Sequence, residues 1–362
     1  PARNGYRQPI PPERVPPLSN RSNVQPNRLP VVLIGLLCLL AVFFVLRARF
    51  MHPTLIGQAH APVKEAMRSG GSWYWLEGVG KPGARLMRAS ASSLQPIAAS
   101  DGLGSYAVAE GKVVWAAREG DHWSLTLASA DGSGQQKVWS GPREPHGLYL
   151  TVDHIYWLDQ LPPTVPDSGP LPPLGPTLQL VAVPVSGGAS TIIATLLEPL
   201  AGRVIGIHGD QIYVSAMRPG APGVTTLYRI ALLHGAPKRV AGETGLQSSI
   251  LTQDGALYWS APSRESSQFD RVVCIRRLGK DDQPETLTDW MEGRGRLYET
   301  ERGVCYVDGD VSPKAWLLTV RKELPRALPL PENYAVLAAG DRELLLVALG
   351  TDSIMVYQVG MP

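Results

Sequence analysis

One five-residue stretch constrains this chain more than any other. Asp153-His154-Ile155-Tyr156-Trp157 follows a simple pattern: a small or turn-forming residue, a spacer, an apolar residue and a Tyr/Trp-type pair. The pattern returns as Gly71-Ser72-Trp73-Tyr74-Trp75, Gly111-Lys112-Val113-Val114-Trp115, Asp210-Gln211-Ile212-Tyr213-Val214 and Gly255-Ala256-Leu257-Tyr258-Trp259. Looser copies begin at Gly303 and Glu343. The starts at 71, 111, 153, 210, 255, 303 and 343 are separated by 40, 42, 57, 45, 48 and 40 residues. Short strands repeating every 40–50 residues or so are the mark of a β-propeller. The expected fold is therefore all-β, with seven blades; six or eight stay open.

Each repeat reads as four strands. In 202–241 the segments RVIGIHG, QIYVSAM and TTLYRIAL are followed by the turn His234-Gly235-Ala236 and the outer strand PKRVAG. Residues 147–195 repeat this with Ser186-Gly187-Gly188 at the turn, and 106–139 with Asp131-Gly132-Ser133-Gly134. Glycine at such turns supplies the positive φ of a tight hairpin. A helical period is absent from 71–362. A ring of blades usually closes by pairing strands from both chain ends, because closure removes open sheet edges. Trp75, Trp115, Trp157 and Trp259 hold equivalent positions, so packing between blades is their expected work. Trp123 and Trp316 fall outside that register and are expected to face outward.

Tyr156-Trp157-Leu158-Asp159, Tyr258-Trp259-Ser260 and the Asp131-Gly132-Ser133 turn resemble the repeats of YWTD-type and TolB-like propellers. The resemblance covers most of 71–362 at the level of the single blade. It implies the propeller fold, and with it a function in binding other proteins.

Ahead of the repeats the composition changes. Residues 1–28 hold seven prolines and five arginines and read as a solvated tail with no core of its own. Residues 29–46, LPVVLIGLLCLLAVFFVL, carry no charge and would make about 27 Å of helix at roughly 1.5 Å per residue. Arg28 on one side and Arg47 and Arg49 on the other suit the headgroup region. A transmembrane anchor helix is expected over 29–49. A cleaved signal peptide fits less well, because Ala59-His60-Ala61 lies thirteen residues beyond the apolar run. The arginine-rich tail places the N-terminus in the cytosol and the large domain in the periplasm or its extracytoplasmic equivalent. Residues 50–70 read as a linker, with a short helix over 63–67 or a closing strand as options, and the propeller as 71–362.

Charge excludes one class of partner. The first 70 residues carry nine basic and two acidic groups, leaving 25 basic and 30 acidic in 71–362. A mildly acidic domain lacks the basic face that nucleic acid requires, so no nucleic acid is expected. Cys274 and Cys305 sit in separate strand-like segments and read as two small buried hydrophobes. Motifs for zinc proteolysis, a nucleophile elbow or a phosphate loop are absent, and no catalytic residue, cofactor or metal site is expected. His154 and His208 fall near strand ends, where surface or turn positions are their expected places. Ser129–Gly134 and Asp308-Gly309-Asp310 read as turns.

The most individual segment is 161–177, LPPTVPDSGPLPPLGPT, which lengthens the third repeat. A long, proline-stiffened loop with apolar Leu161, Val165, Leu171 and Leu174 beside Pro166 suits a partner surface. The expected function is a single-pass inner-membrane protein whose propeller is a binding or scaffold module, an accessory subunit of a larger membrane complex. A membrane-tethered hydrolase or lyase acting on glycans in the propeller mouth is the alternative, and a periplasmic sensor domain the second.

Overall fold

The second strand of each repeat carries a run of at least three consecutive apolar residues, and a strand buried on both faces needs a sheet on either side. Every residue of the Ser72–Glu77 and Gly303–Asp308 strands is buried. A computed structural model meets that demand by stacking sheets face to face. It describes residues 34, 36–40, 54–59, 62–90, 93–162, 177–196, 201–217, 224–233, 235–263, 272–279, 281–292, 295–300, 303–308, 315–319, 326–328, 330, 334–340, 343–348 and 353–358. The chain divides into two units, Pro1–Ala48 and Arg49–Pro362.

The second unit opens with β1 (Thr54–Gln58). Blade one is β2 (Val63–Ser69), β3 (Ser72–Glu77), β4 (Arg85–Ser90) and β5 (Ser93–Ala99). Blade two is β6 (Leu103–Ala109), β7 (Lys112–Glu119), β8 (His122–Ser129) and β9 (Gln136–Gly141). Blade three is β10 (His146–Leu150), β11 (His154–Leu161), β12 (Thr177–Pro184) and β13 (Thr191–Leu196). Blade four is β14 (Ala201–His208), β15 (Gln211–Met217), β16 (Val224–Ala231) and β17 (Lys238–Thr244). Blade five is β18 (Ser248–Leu251), β19 (Leu257–Pro262), β20 (Val272–Leu278) and β21 (Pro284–Glu292). Blade six is β22 (Gly295–Thr300), β23 (Gly303–Asp308), β24 (Ala315–Thr319) and β25 (Arg326–Leu328). Blade seven is β26 (Tyr334–Ala339), β27 (Glu343–Ala348) and β28 (Ser353–Gln358), completed by β1 as its outer strand. The described strands thus form seven four-stranded antiparallel sheets, and the seven-bladed count expected from the repeat holds.

Of the options for 50–70, the closing strand holds and the short helix does not. The segment holds the closing strand β1 and the inner strand of blade one, β2, where a linker with a short helix over 63–67 was one reading. β2 escapes a pattern search because Lys64 and Glu65 interrupt its apolar alternation.

Among the described residues the apolar core falls into seven clusters, one at each blade–blade interface. The tryptophans of the repeat do the expected work. Trp75 packs on blade seven, Trp115 on blade one, Trp157 on blade two and Trp259 on blade four. Trp157 meets Trp139 of blade two with ring centroids 5.0 Å apart. Trp316 departs from expectation: it is buried in the cluster between blades five and six, 6.0 Å from Tyr306. Trp123 is half-buried against the cluster between blades two and three. Third strands are covered on both sides too, so a large ring there turns inward.

Cys274 and Cys305 are free and buried. Burial pushes the Cys305 thiol up to about 12, so it stays protonated and inert. In the first unit Ile34 and residues 36–40 are helical with exposed side chains. Among the described residues no helix is long and apolar enough to cross a membrane. Most of the anchor expected over 29–49, with Arg28, Arg47 and Arg49, lies outside the described residues.

Candidate binding mouth of the channel

Inner strands line the axis of a propeller, and their polar residues are the ones that converge. In blade one Lys64 pairs with Leu76, the fifth residue of β3. His146 pairs with the fifth residue of β11, Leu158; Arg203 with that of β15, Ser215; and Arg296 with that of β23, Val307. Four of the seven blades therefore put a basic residue type at one equivalent place. These side chains are at least partly exposed, and Lys64, Arg203 and Arg296 are the more exposed ones. Three permanent cations form a collar in a domain whose net charge is negative.

Glu65 stands inside this collar. The register of β2 on β3 shifts between Lys64 and Met67, so Glu65 and Ala66 form a bulge. Glu65 has φ of 52°, in the left-handed region that costs a side-chain-bearing residue about 1–2 kcal/mol. The same bulge position in blade three is Gly147, with φ of 59°. Glycine is required there because a Cβ would come within 2.6 Å of the Arg203 Cα. Blade one accepts the strain and gains a carboxylate. The hydroxyl of buried Tyr106, on blade two, donates toward the carbonyls of Glu65 and Tyr74 and so holds the bulge; the Tyr74 bond is 2.9 Å.

Charges from three blades and from the connection between blades two and three act on Glu65. Burial pushes its carboxyl up, while Arg296 of blade six, Arg203 of blade four and neighbouring Lys64 pull it down, and Glu144 pushes up again. Groups on blades one, four and six interact in this way only across the central channel. Burial also pulls Arg203 down from its ordinary range, aided by the like charge of Arg296 and opposed by Glu65. Glu65 and Arg203 are reachable by solvent, yet enough protein surrounds them for burial to dominate both shifts, as for groups lining a channel. Arg203 is fixed in place, donating to the Ser249 carbonyl at 2.6 Å.

Beside the collar lies a cavity of about 250 Å³. Lys64, Glu65, Arg296 and Tyr298 give it polar groups, and Val63, Val336 and Leu337 give it apolar wall. Tyr298 donates to the Leu337 carbonyl at 3.0 Å. Burial pushes its phenol up to about 12 against the opposing pull of Arg296.

The residues singled out in the sequence are distributed differently. Leu161 is the last residue of β11 and pairs with Thr177, so the 162–176 insertion leaves and re-enters blade three at one hairpin end. Val165, Pro166, Leu171 and Leu174 lie outside the described residues. His154 opens β11 and His208 closes β14, each beside the turn between first and second strands at the end of the blades opposite the collar; the rings of His154 and Tyr156 have centroids 5.9 Å apart, and His208 lies against Gly255 of blade five. Ser129–Gly134 is a hairpin turn: Asp131 accepts from the Ser133 backbone and hydroxyl at 3.0 and 2.7 Å. Asp308 is the buried last residue of β23, and 309 and 310 are outside the described residues. Among the described residues no three His, Cys, Asp or Glu side chains could hold a metal ion. The collar has a sequence signal nonetheless: Lys64, His146, Arg203 and Arg296 each stand seven residues before their copy of the repeated motif.

No family model matches the chain, and no curated protein matches it. Solved structures do. One is oligogalacturonate lyase in complex with manganese, with a TM-score of 0.59 at 10% identity, covering 85% of this chain and 96% of that one. Another is the acylaminoacyl peptidase of Pyrococcus horikoshii, also with a TM-score of 0.59, at 11% identity over 84% of this chain; the match spans 52% of the peptidase, about half its length. TolB from Acinetobacter baumannii is similar at a TM-score of 0.48 and 11% identity, over 80% of this chain and 64% of that one. At such identities the first two likenesses speak for the fold alone, and they agree with the seven stacked blades: the chain is a β-propeller.

Proposed function

We propose that this protein is a membrane-tethered propeller that binds a partner protein on the face carrying the collar, as an accessory subunit of a membrane complex. One relationship in blade three supports this. Leu161 lies three residues beyond Leu158 on β11, and Leu158 is the partner of His146 in the collar register. The proline-rich insertion is therefore rooted at the same end of the blades as the charged channel mouth. Apolar residues on an insertion and fixed charges beside it are the two parts of a protein-recognition surface. The tether is the apolar run 29–46, with the N-terminus in the cytosol and the propeller on the periplasmic or extracytoplasmic side.

Two measurements test this. The full chain should resist carbonate extraction from membranes and comigrate with a larger complex in a mild detergent. Deleting 162–176 should release the partner while leaving the circular dichroism of the ring unchanged. Extraction by carbonate sinks the tether, and an unaltered complex after the deletion sinks the binding face.

The alternative, a hydrolase or lyase acting on glycans, has Glu65 in its favour. A strained carboxylate pushed up by burial and flanked by arginines has the attributes of a general acid. It requires turnover of a glycan that Glu65→Gln abolishes.

A further inference from the structure

We propose that the channel mouth binds a small organic oxyanion, its carboxylate or phosphate group between Lys64 and Arg296 and its apolar body against Val336 and Leu337. This site lies on the face proposed for the partner protein, but it needs neither the partner nor the tether to form.

Three observations converge on it. The first is charge. Lys64, Arg203 and Arg296 recur at one register position on blades one, four and six, inside a domain (54–362) of 27 basic and 31 acidic residues. Like charges gathered in one channel repel one another, and a bound anion relieves that repulsion. The second is space. The cavity of about 250 Å³ beside Lys64 and Arg296 equals about eight water volumes, room for a small organic molecule with a charged end. Its lining combines both kinds of group, with Lys64, Arg296 and Tyr298 polar and Val336 and Leu337 apolar. The third is preorganisation. Arg203 is tied to Ser249, and Tyr298 to Leu337, before any ligand arrives.

Glu65 sets the sign of the test. Its carboxylate faces the same cavity and opposes an anion. A site for an anion is weakened by losing Arg296 and strengthened by losing the charge of Glu65; a site for a cation behaves in the opposite way. In a neutral detergent the full chain is titrated calorimetrically with benzoate, phenyl phosphate, benzamide and inorganic phosphate. Benzoate or phenyl phosphate should bind and benzamide should not, and the tighter of the two identifies the headgroup. Arg296→Gln should weaken binding about tenfold or more, since a charge-assisted hydrogen bond is lost. Glu65→Gln should tighten it about threefold or more. Near-UV circular dichroism verifies the fold of each variant, and Lys64→Gln, at an exposed position, replaces Arg296→Gln should the latter misfold. The proposal is overturned if none of the anions binds, if benzamide binds as well as benzoate, or if Glu65→Gln weakens binding. Inorganic phosphate matching phenyl phosphate would remove the apolar half of the site and overturn it as stated.

Discussion

Leu55 lies opposite Met355 in an antiparallel pair, which makes a strand from the start of the propeller the outer strand of its last blade. The ring is thereby closed by the chain itself. β28 would otherwise present a free edge, open to any other strand. Deleting residues 1–58 should lower the unfolding midpoint and yield dimers or aggregates in gel filtration. Deleting 1–53 leaves β1 in place and should do neither. Equal midpoints for the two truncations would show that closure contributes nothing.

Trp157 is the wedge between blades two and three, fully buried against Val114, Leu125 and Trp139. Replacing it by alanine leaves a cavity that rigid sheets cannot close. Trp157→Ala should cost about 3–5 kcal/mol, measured by denaturant unfolding. A loss under about 1 kcal/mol would mean the interface re-forms around the gap.

The architecture was legible because burial is repetitive. A residue that must fill the same gap between blades recurs at the same place, so Trp75, Trp115, Trp157 and Trp259 announce the ring. Blade six and blade seven keep the burial and change the residue, with Tyr306 and Leu346 in the wedge position, one residue out of phase with the looser motif copies. The collar is harder to see. A channel asks only for charge and tolerates any residue elsewhere on the ring, so Lys64, His146, Arg203 and Arg296 alternate with blades that carry Gly104, Ser248 and Val336 seven residues before the motif. Glu65 is harder still. Its place depends on a bulge, and a non-glycine residue at positive φ leaves no trace in the pattern. The partner surface proposed on 162–176 is the reverse case, conspicuous in composition alone.

Glu65 combines backbone strain with a burdened charge, and the two can be separated. Its folded-state carboxyl is pushed above the ordinary range, so the native state holds the proton more tightly than the unfolded chain. Stability is then greatest below the unfolded value of about 4.3 and falls as pH rises from there through the raised value. The groups facing it are Arg296, Arg203 and Lys64, which pull the carboxyl down, and Glu144, which pushes it up. Glu65→Gln should flatten this decline and leave the strain. Glu65→Gly should also relieve the strain and add about 1 kcal/mol at any pH. Thermal unfolding from pH 4 to pH 8 reads both; a Gly variant less stable than the Gln variant would show that the bulge is unstrained.

Asp282 joins blades four and five, and its pH dependence runs the other way. It sits in the turn between β20 and β21 at φ of 58° and accepts from Arg229 at 2.8 and 2.7 Å and from Lys238 at 2.7 Å. Arg229 foremost, then Lys238, holds its carboxyl below the ordinary carboxylate range. Its stabilisation is therefore complete above the unfolded value of about 3.9 and is lost as pH falls through the depressed folded value. Asparagine tolerates the left-handed backbone, so Asp282→Asn removes the charge and keeps the turn. The pair is bidentate and partly shielded from solvent, which places it near the upper end for surface ion pairs, about 1 kcal/mol. Asp282→Asn should lose that amount at pH 7, and the gap to the parent protein should narrow as the buffer is taken below about pH 4. A gap that stays constant down to the acid transition would assign the loss to the turn instead of the charge.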